Sequence, residues 1–74
     1  MDKESIQIGG IYRIDIDVYE RRFKNFHSKT NTAVYVRPKS DVVTIQEFRD
    51  NEFCYVYEGL GVVALESVVE RLDD

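Results

Sequence analysis

The stretch IYRIDIDVYE, Ile11 to Glu20, alternates apolar and polar side chains along its length. Tyr12, Ile14, Ile16 and Val18 fall on one side, and Arg13, Asp15, Asp17 and Tyr19 on the other. Successive side chains of a strand point to opposite faces, so this spacing predicts an amphipathic strand. Helical spacing would scatter the apolar set around the axis. Gly9-Gly10 just before it supplies a flexible turn.

Working outward, residues 20–31 are polar, and the tract SKTNT (28–32) is turn-like. TAVYVRP (32–38) reads as a second strand with Val34 and Val36 inward, ended or held at an edge by Pro38. DVVTIQEF (41–48) reads as a third, with Val43 and Ile45 on one face and Thr44 and Gln46 on the other. RDNE (49–52) suits a tight connection, so FCYVYE (53–58) is expected to pair with the third strand as a hairpin, broken by GLG (59–61). Two registers are open for that fourth strand. If Cys54 and Val56 point inward, then Phe53, Tyr55 and Tyr57 form an exposed aromatic row. If the register slips by one, the rings are the core. The need of a small domain for large buried groups favours the second register.

The end of the chain also has two readings. Leu65, Val68, Val69 and Leu72 make one helical face. Alternatively ALES (64–67) is a single 3₁₀ turn and VVERL (68–72) a fifth short strand. The Val-Val pair is a poor helix former and a fifth strand would shield a sheet edge, which favours the second reading. Four or five short strands in 74 residues predict one all-β domain spanning 1–74, a small barrel or two packed sheets.

IGGIYRI (8–14) and GLGVVALESVV (59–69) resemble the opening and closing of SH3-like small barrels. In those, a strand follows a glycine-containing turn, and the chain closes through apolar residues, a 3₁₀ turn and a short last strand. The resemblance implies an SH3-like barrel of four or five antiparallel strands. The chain departs from the peptide-binding type of SH3 domain, which carries a Trp and a cluster of acidic and aromatic groove residues. It has no Trp, and its candidate first loop (20–31) is basic. Proline-rich peptide binding is therefore not carried over, and the fold alone does not name a function.

The composition narrows the classes. A chain this short buries only about 60% of its unfolded surface. Its hydrophobic fraction of 43% and charged fraction of 32% are those of a globular chain. A single Cys allows no internal disulfide, and no apolar run approaches a membrane span. The N-terminus also lacks a signal pattern, so the expected location is the cytoplasm. The small core and open sheet edges both reward association, so a homo-oligomer is among the expected states.

Chemistry-bearing residues are sparse. Cys54 sits inside an alternating strand, where a small core hydrophobe is the simpler reading, and the only His is His27 in an expected loop. One Cys and one His cannot hold zinc within a monomer. Asp15 and Asp17 share a strand face but lack the further oxygens a calcium ion needs. Neither a phosphate loop nor a dinucleotide fingerprint is present. These readings predict a non-enzymatic protein without cofactor or metal.

Charge is the strongest signal. Residues 21–40 hold six Lys or Arg and no Asp or Glu, +6 against −10 for the rest of the chain. The basic residues Arg21, Arg22, Lys24, Lys29, Arg37 and Lys39 are interleaved with Phe23, Phe26, His27 and Tyr35. Such asymmetry marks an interaction surface, or a basic segment lying against the protein's own acids such as Asp15, Asp17 and Glu20. The expected function is a small binding module that engages a protein partner through Arg21, Arg22, Lys24, His27, Lys29, Tyr35, Arg37, Lys39, Tyr55 and Tyr57. By analogy of size and style, it is like accessory proteins of phages and other mobile elements that modulate host machinery. An inhibitory variant of that role would use Asp15, Asp17, Glu20, Glu47, Asp50, Glu52, Glu66 and Glu70 to imitate nucleic-acid phosphates. The alternative is a nucleic-acid-binding domain using the basic segment 21–39, with phosphates on the cations and bases stacked on the rings.

Overall fold

A computed structural model describes residues 1–27, 37–58 and 60–73, with the side chains of residues 25–27 outside that description. Among the described residues, five strands form one antiparallel sheet: β1 (Ile11–Ile14), β2 (Val42–Phe48), β3 (Phe53–Val56), β4 (Val62–Ala64) and β5 (Val68–Arg71). Their order across the sheet is β4-β3-β2-β1-β5. The sheet is not closed into a barrel: β4 and β5 are its edges, with no ladder between them among the described residues. The one α-helix among the described residues, α1 (Ile16–His27), packs instead against β4 and the 3₁₀ turn Leu65–Ser67.

The strand expected over residues 11–20 holds for its first four residues only. β1 stops at Ile14 and α1 begins at Ile16. Asp15 makes the switch. Its Oδ1 accepts hydrogen bonds from the backbone N–H of Asp17 at 3.0 Å and of Val18 at 3.3 Å, satisfying the orphan donors of the first helical turn. Its carbonyl accepts from the Tyr19 N–H at 2.9 Å, and its own N–H donates to the Ser67 carbonyl at 2.7 Å. Beyond the cap, Ile16, Tyr19 and Phe23 recur at helical spacing and pack on the core, with the Tyr19 and Phe23 rings 6.0 Å apart. Tyr19, expected outward, is buried for this reason. The strand expected over TAVYVRP falls, up to Val36, outside the described residues.

The third strand, the tight turn after it and the final strand match their expectations. Val43 and Ile45 of β2 are fully buried, and β2 pairs with β3 through the turn at 49–52. Asp50 builds that turn by accepting from the N–H of Glu52 at 2.8 Å and of Phe53 at 2.9 Å. Leu65–Ser67 is the 3₁₀ turn, locked by the buried Ser67 hydroxyl donating to the Ala64 carbonyl at 2.6 Å, and β5 follows it. β5 pairs with β1 (Arg13 opposite Glu70), so the first and last strands are neighbours.

The glycine pair before β1 has two duties. Gly9 has φ +86°, which favours glycine. A Cβ on Gly10 would sit 2.7 Å from the ring of Tyr12. That ring is fully buried, and its hydroxyl accepts the Gln7 N–H at 2.9 Å. The core therefore gathers Ile6, Tyr12, Ile14, Tyr19, Val43, Ile45, Cys54, Val56, Val63, Leu65 and Val68 between the sheet, α1 and the N-terminal segment.

Candidate functional site

The register of β3 decides the aromatic row. Cys54 and Val56 face the core, so Phe53, Tyr55 and Tyr57 lie on the outer face of the sheet. The reading that put these rings in the core is overturned for Tyr55 and Tyr57, and the exposed row of three fails at Phe53, which is buried. Phe53 is still buried, because the guanidinium groups of Arg22 and Arg49 lie 5.5 and 6.0 Å from its ring centre. Tyr55 is half-buried and Tyr57 is 65% exposed.

The outer face continues across four strands. Ile11 is opposite Thr44, the Tyr57 N–H donates to the Thr44 carbonyl at 3.2 Å, and the Leu72 N–H donates to the Ile11 carbonyl at 2.8 Å. Leu72, Ile11, Thr44 and Tyr57 therefore form one row running from beside β5 to beyond β3. Leu72 is 45% exposed, and Val42 lies on the same outer face as Ile11, two residues from Thr44. Within this face Leu72, Val42 and Tyr57 are exposed, whereas Ile11 and Thr44 are half-buried. Exposed apolar and aromatic groups sharing one sheet face are the kind of feature that marks an interaction surface.

The basic segment is arranged differently. Arg21 lies 3.8 Å from Glu66, Arg22 lies 3.5 Å from Glu66 and 3.9 Å from Glu52, Lys24 lies 2.8 Å from Glu20, and Arg37 lies 3.5 Å from Glu20. Four basic residues expected to meet a partner thus contact the protein's own carboxylates. Lys39 is exposed, with no carboxylate at ion-pair distance among the described residues. Lys29, Tyr35 and the side chain of His27 lie outside the described residues. Glu20 feels the arrangement: the hydrogen bond from Lys24, then the charges of Lys24 and Arg37, hold its carboxyl below the ordinary range. These pairs are largely exposed, and such pairs contribute little to stability.

The pairs of Lys24 and Arg37 with Glu20 follow the reading of a basic segment lying against the chain's own acids, whereas Asp15 and Asp17 have no such pair among the described residues. Among the described residues, the carboxylates with no cation at ion-pair distance are Asp2, Glu4, Asp15, Asp17, Asp41, Glu47 and Glu58. Among the described residues, the basic side chains outside any ion pair are Lys3, which lies 5.2 Å from the Phe48 ring centre, and Lys39. What the folded surface leaves unneutralised is mostly negative.

A polar cleft of about 730 Å³ lies where the N-terminal residues, Arg22, Asn51, Glu52 and Glu66 meet. Arg22 Nε is buried there, in ion-pair contact with Glu66 but without hydrogen-bond geometry. Four carboxylates (Asp2, Glu4, Glu52 and Glu66) and two basic side chains (Lys3 and Arg22) line this cleft. Cys54 is fully buried with its Sγ 3.5 Å from the Val63 carbonyl, and burial pushes the thiol up to about 11, far from a nucleophile's range. No three metal-ligating side chains converge among the described residues, and none of their helices is long and apolar enough to cross a membrane. No protein-family model, curated protein or solved structure matches this chain.

Proposed function

We propose that this chain is a small, non-catalytic binding module of SH3-like type that engages a protein partner through the outer face of its sheet. The outer-face row Leu72–Ile11–Thr44–Tyr57, exposed at Leu72 and Tyr57 and half-buried between them, carries the reading, because it offers apolar and aromatic area beside the strands of a sheet. The 3₁₀ turn before a short last strand that pairs with the first supports the SH3-like type. The charge inventory supports a protein over a nucleic acid. Most cations of the basic segment already face the chain's own acids, and the unpaired carboxylates would repel a polyanion over roughly 8–10 Å at physiological salt. The cytoplasm is the proposed place of action, since the one thiol is free and buried.

The test is affinity capture from nuclease-treated lysate with the wild type and with Tyr57→Ala/Leu72→Ser. A stoichiometric protein that survives nuclease and is lost with the double variant is the expected result. Capture that disappears on nuclease treatment, or that the double variant leaves unchanged, refutes it.

A further inference from the structure

Resting on that reading, we propose that the end of the outer face built by Tyr55, Tyr57, Glu47 and Glu58 receives a lysine- or arginine-bearing segment of the protein partner. Tyr55 and Tyr57 are two residues apart on one face, so their side chains lie side by side. Glu47 is the register partner of Tyr55, which places its Cβ about 5 Å from that of the tyrosine. Glu58 is drawn over β2, where its Oε1 accepts the Thr44 N–H at 2.6 Å, and the Thr44 carbonyl accepts the Tyr57 N–H. Two carboxylates and two aromatic rings thus share one patch of surface.

Charge complementarity selects the occupant. Glu47 and Glu58 are exposed and have no cation at ion-pair distance among the described residues, whereas Glu20, Glu52, Glu66 and Glu70 have theirs. A long cationic side chain meets both demands of the patch. Its aliphatic stem covers the exposed Tyr57 ring, and its head reaches a carboxylate or the face of a tyrosine. A hard metal ion does not fit, since two carboxylates, one already accepting a backbone N–H, fall short of six oxygen ligands.

Amide-resolved NMR titration with a hexa-arginine peptide, and with hexa-glutamate as control, tests the site. The expected result is shifts concentrated at Thr44, Glu47, Tyr55, Tyr57 and Glu58 with hexa-arginine and none with hexa-glutamate. Glu47→Gln/Glu58→Gln should weaken binding roughly tenfold. The amide that Glu58→Gln introduces retains an acceptor for the Thr44 N–H, and the spectrum of the free variant reports its fold directly. Shifts spread equally over Asp2, Glu4, Asp15, Asp17 and Asp41, or unchanged affinity of the double variant, overturn the proposal. Lysate capture separates it from the broader reading. A partner lost with Tyr57→Ala/Leu72→Ser but held equally by Glu47→Gln/Glu58→Gln leaves the protein-binding face standing and removes the cationic segment.

Discussion

Replacing Asp15 tests the point on which the fold turns. As a helix cap, its Oδ1 makes one good hydrogen bond, to the Asp17 N–H at 3.0 Å, and one long one, to Val18 at 3.3 Å. Loss of such a cap costs about 1 kcal/mol, within a general range of about 0.5–2. For a domain of this size that corresponds to a fall in Tm of about 4–8 °C. Asp15→Asn keeps an acceptor and should cost only a few tenths of a kcal/mol. Asp15→Val should cost at least as much as Asp15→Ala, because a branched apolar side chain cannot accept either N–H. On the solvated face of a strand the order reverses, since Val is favoured there and Asp is not, over a scale of about 1 kcal/mol. Thermal and urea unfolding followed by circular dichroism measures all three variants. Faster amide exchange at Asp17 and Val18 in Asp15→Ala would locate the loss. An Asp15→Val protein as stable as the wild type, or more so, refutes the cap and returns residues 15–18 to a strand.

Gly10→Ala should destabilise by about 1–3 kcal/mol in the same unfolding assay, because the new Cβ meets the buried Tyr12 ring and the Gln7 carbonyl. Cys54 in the native protein should resist a disulfide reagent at pH 8 and label fully in denaturant, since its thiol is both buried and raised to about 11. Asp50 is held below its ordinary 3.8 first by the Glu52 N–H, then by the Phe53 N–H and the charges of Arg49 and Lys3. A carboxyl depressed in the folded state stabilises fully above its ordinary value and loses that contribution as pH falls through the lower folded value. The stability advantage of wild type over Asp50→Ala should therefore be constant near neutrality and shrink below about pH 4 in acid titrations of unfolding.

The sequence was legible wherever one periodicity ruled alone. Val43 and Ile45 alternate with Thr44 and Gln46, Asp50 and Asn51 mark the turn, and Val68-Val69 resists a helix; β2, the hairpin and β5 follow directly. It was misread from Asp15 to Glu20, where strand alternation runs across the start of a helix. The helical set Ile16, Tyr19 and Phe23 and the Glu20–Lys24 pair were visible there, but the strand pattern masked Asp15 as a cap. For the candidate site, Tyr57 was legible as an interface residue, but its exposure depended on a one-residue register fixed by the packing of Cys54 and Val56. The fate of Arg21 and Arg22 was not legible, because their carboxylates, Glu52 and Glu66, are brought to them only by tertiary packing.

The pairing of β1 with β5 also sets an order of events during folding. β2, β3 and β4 are successive hairpins and need only short loops to close. The Arg13–Glu70 contact instead spans 57 residues. Closing so long a segment costs chain entropy before any contact repays it, and proteins rich in such pairings fold slowly. On the ribosome, the meander can assemble while β1 still lacks its second neighbour, and the Asp15 N–H waits for the Ser67 carbonyl. The nascent chain therefore remains incompletely folded until its last strand has emerged, with β1 exposed along one edge for most of synthesis.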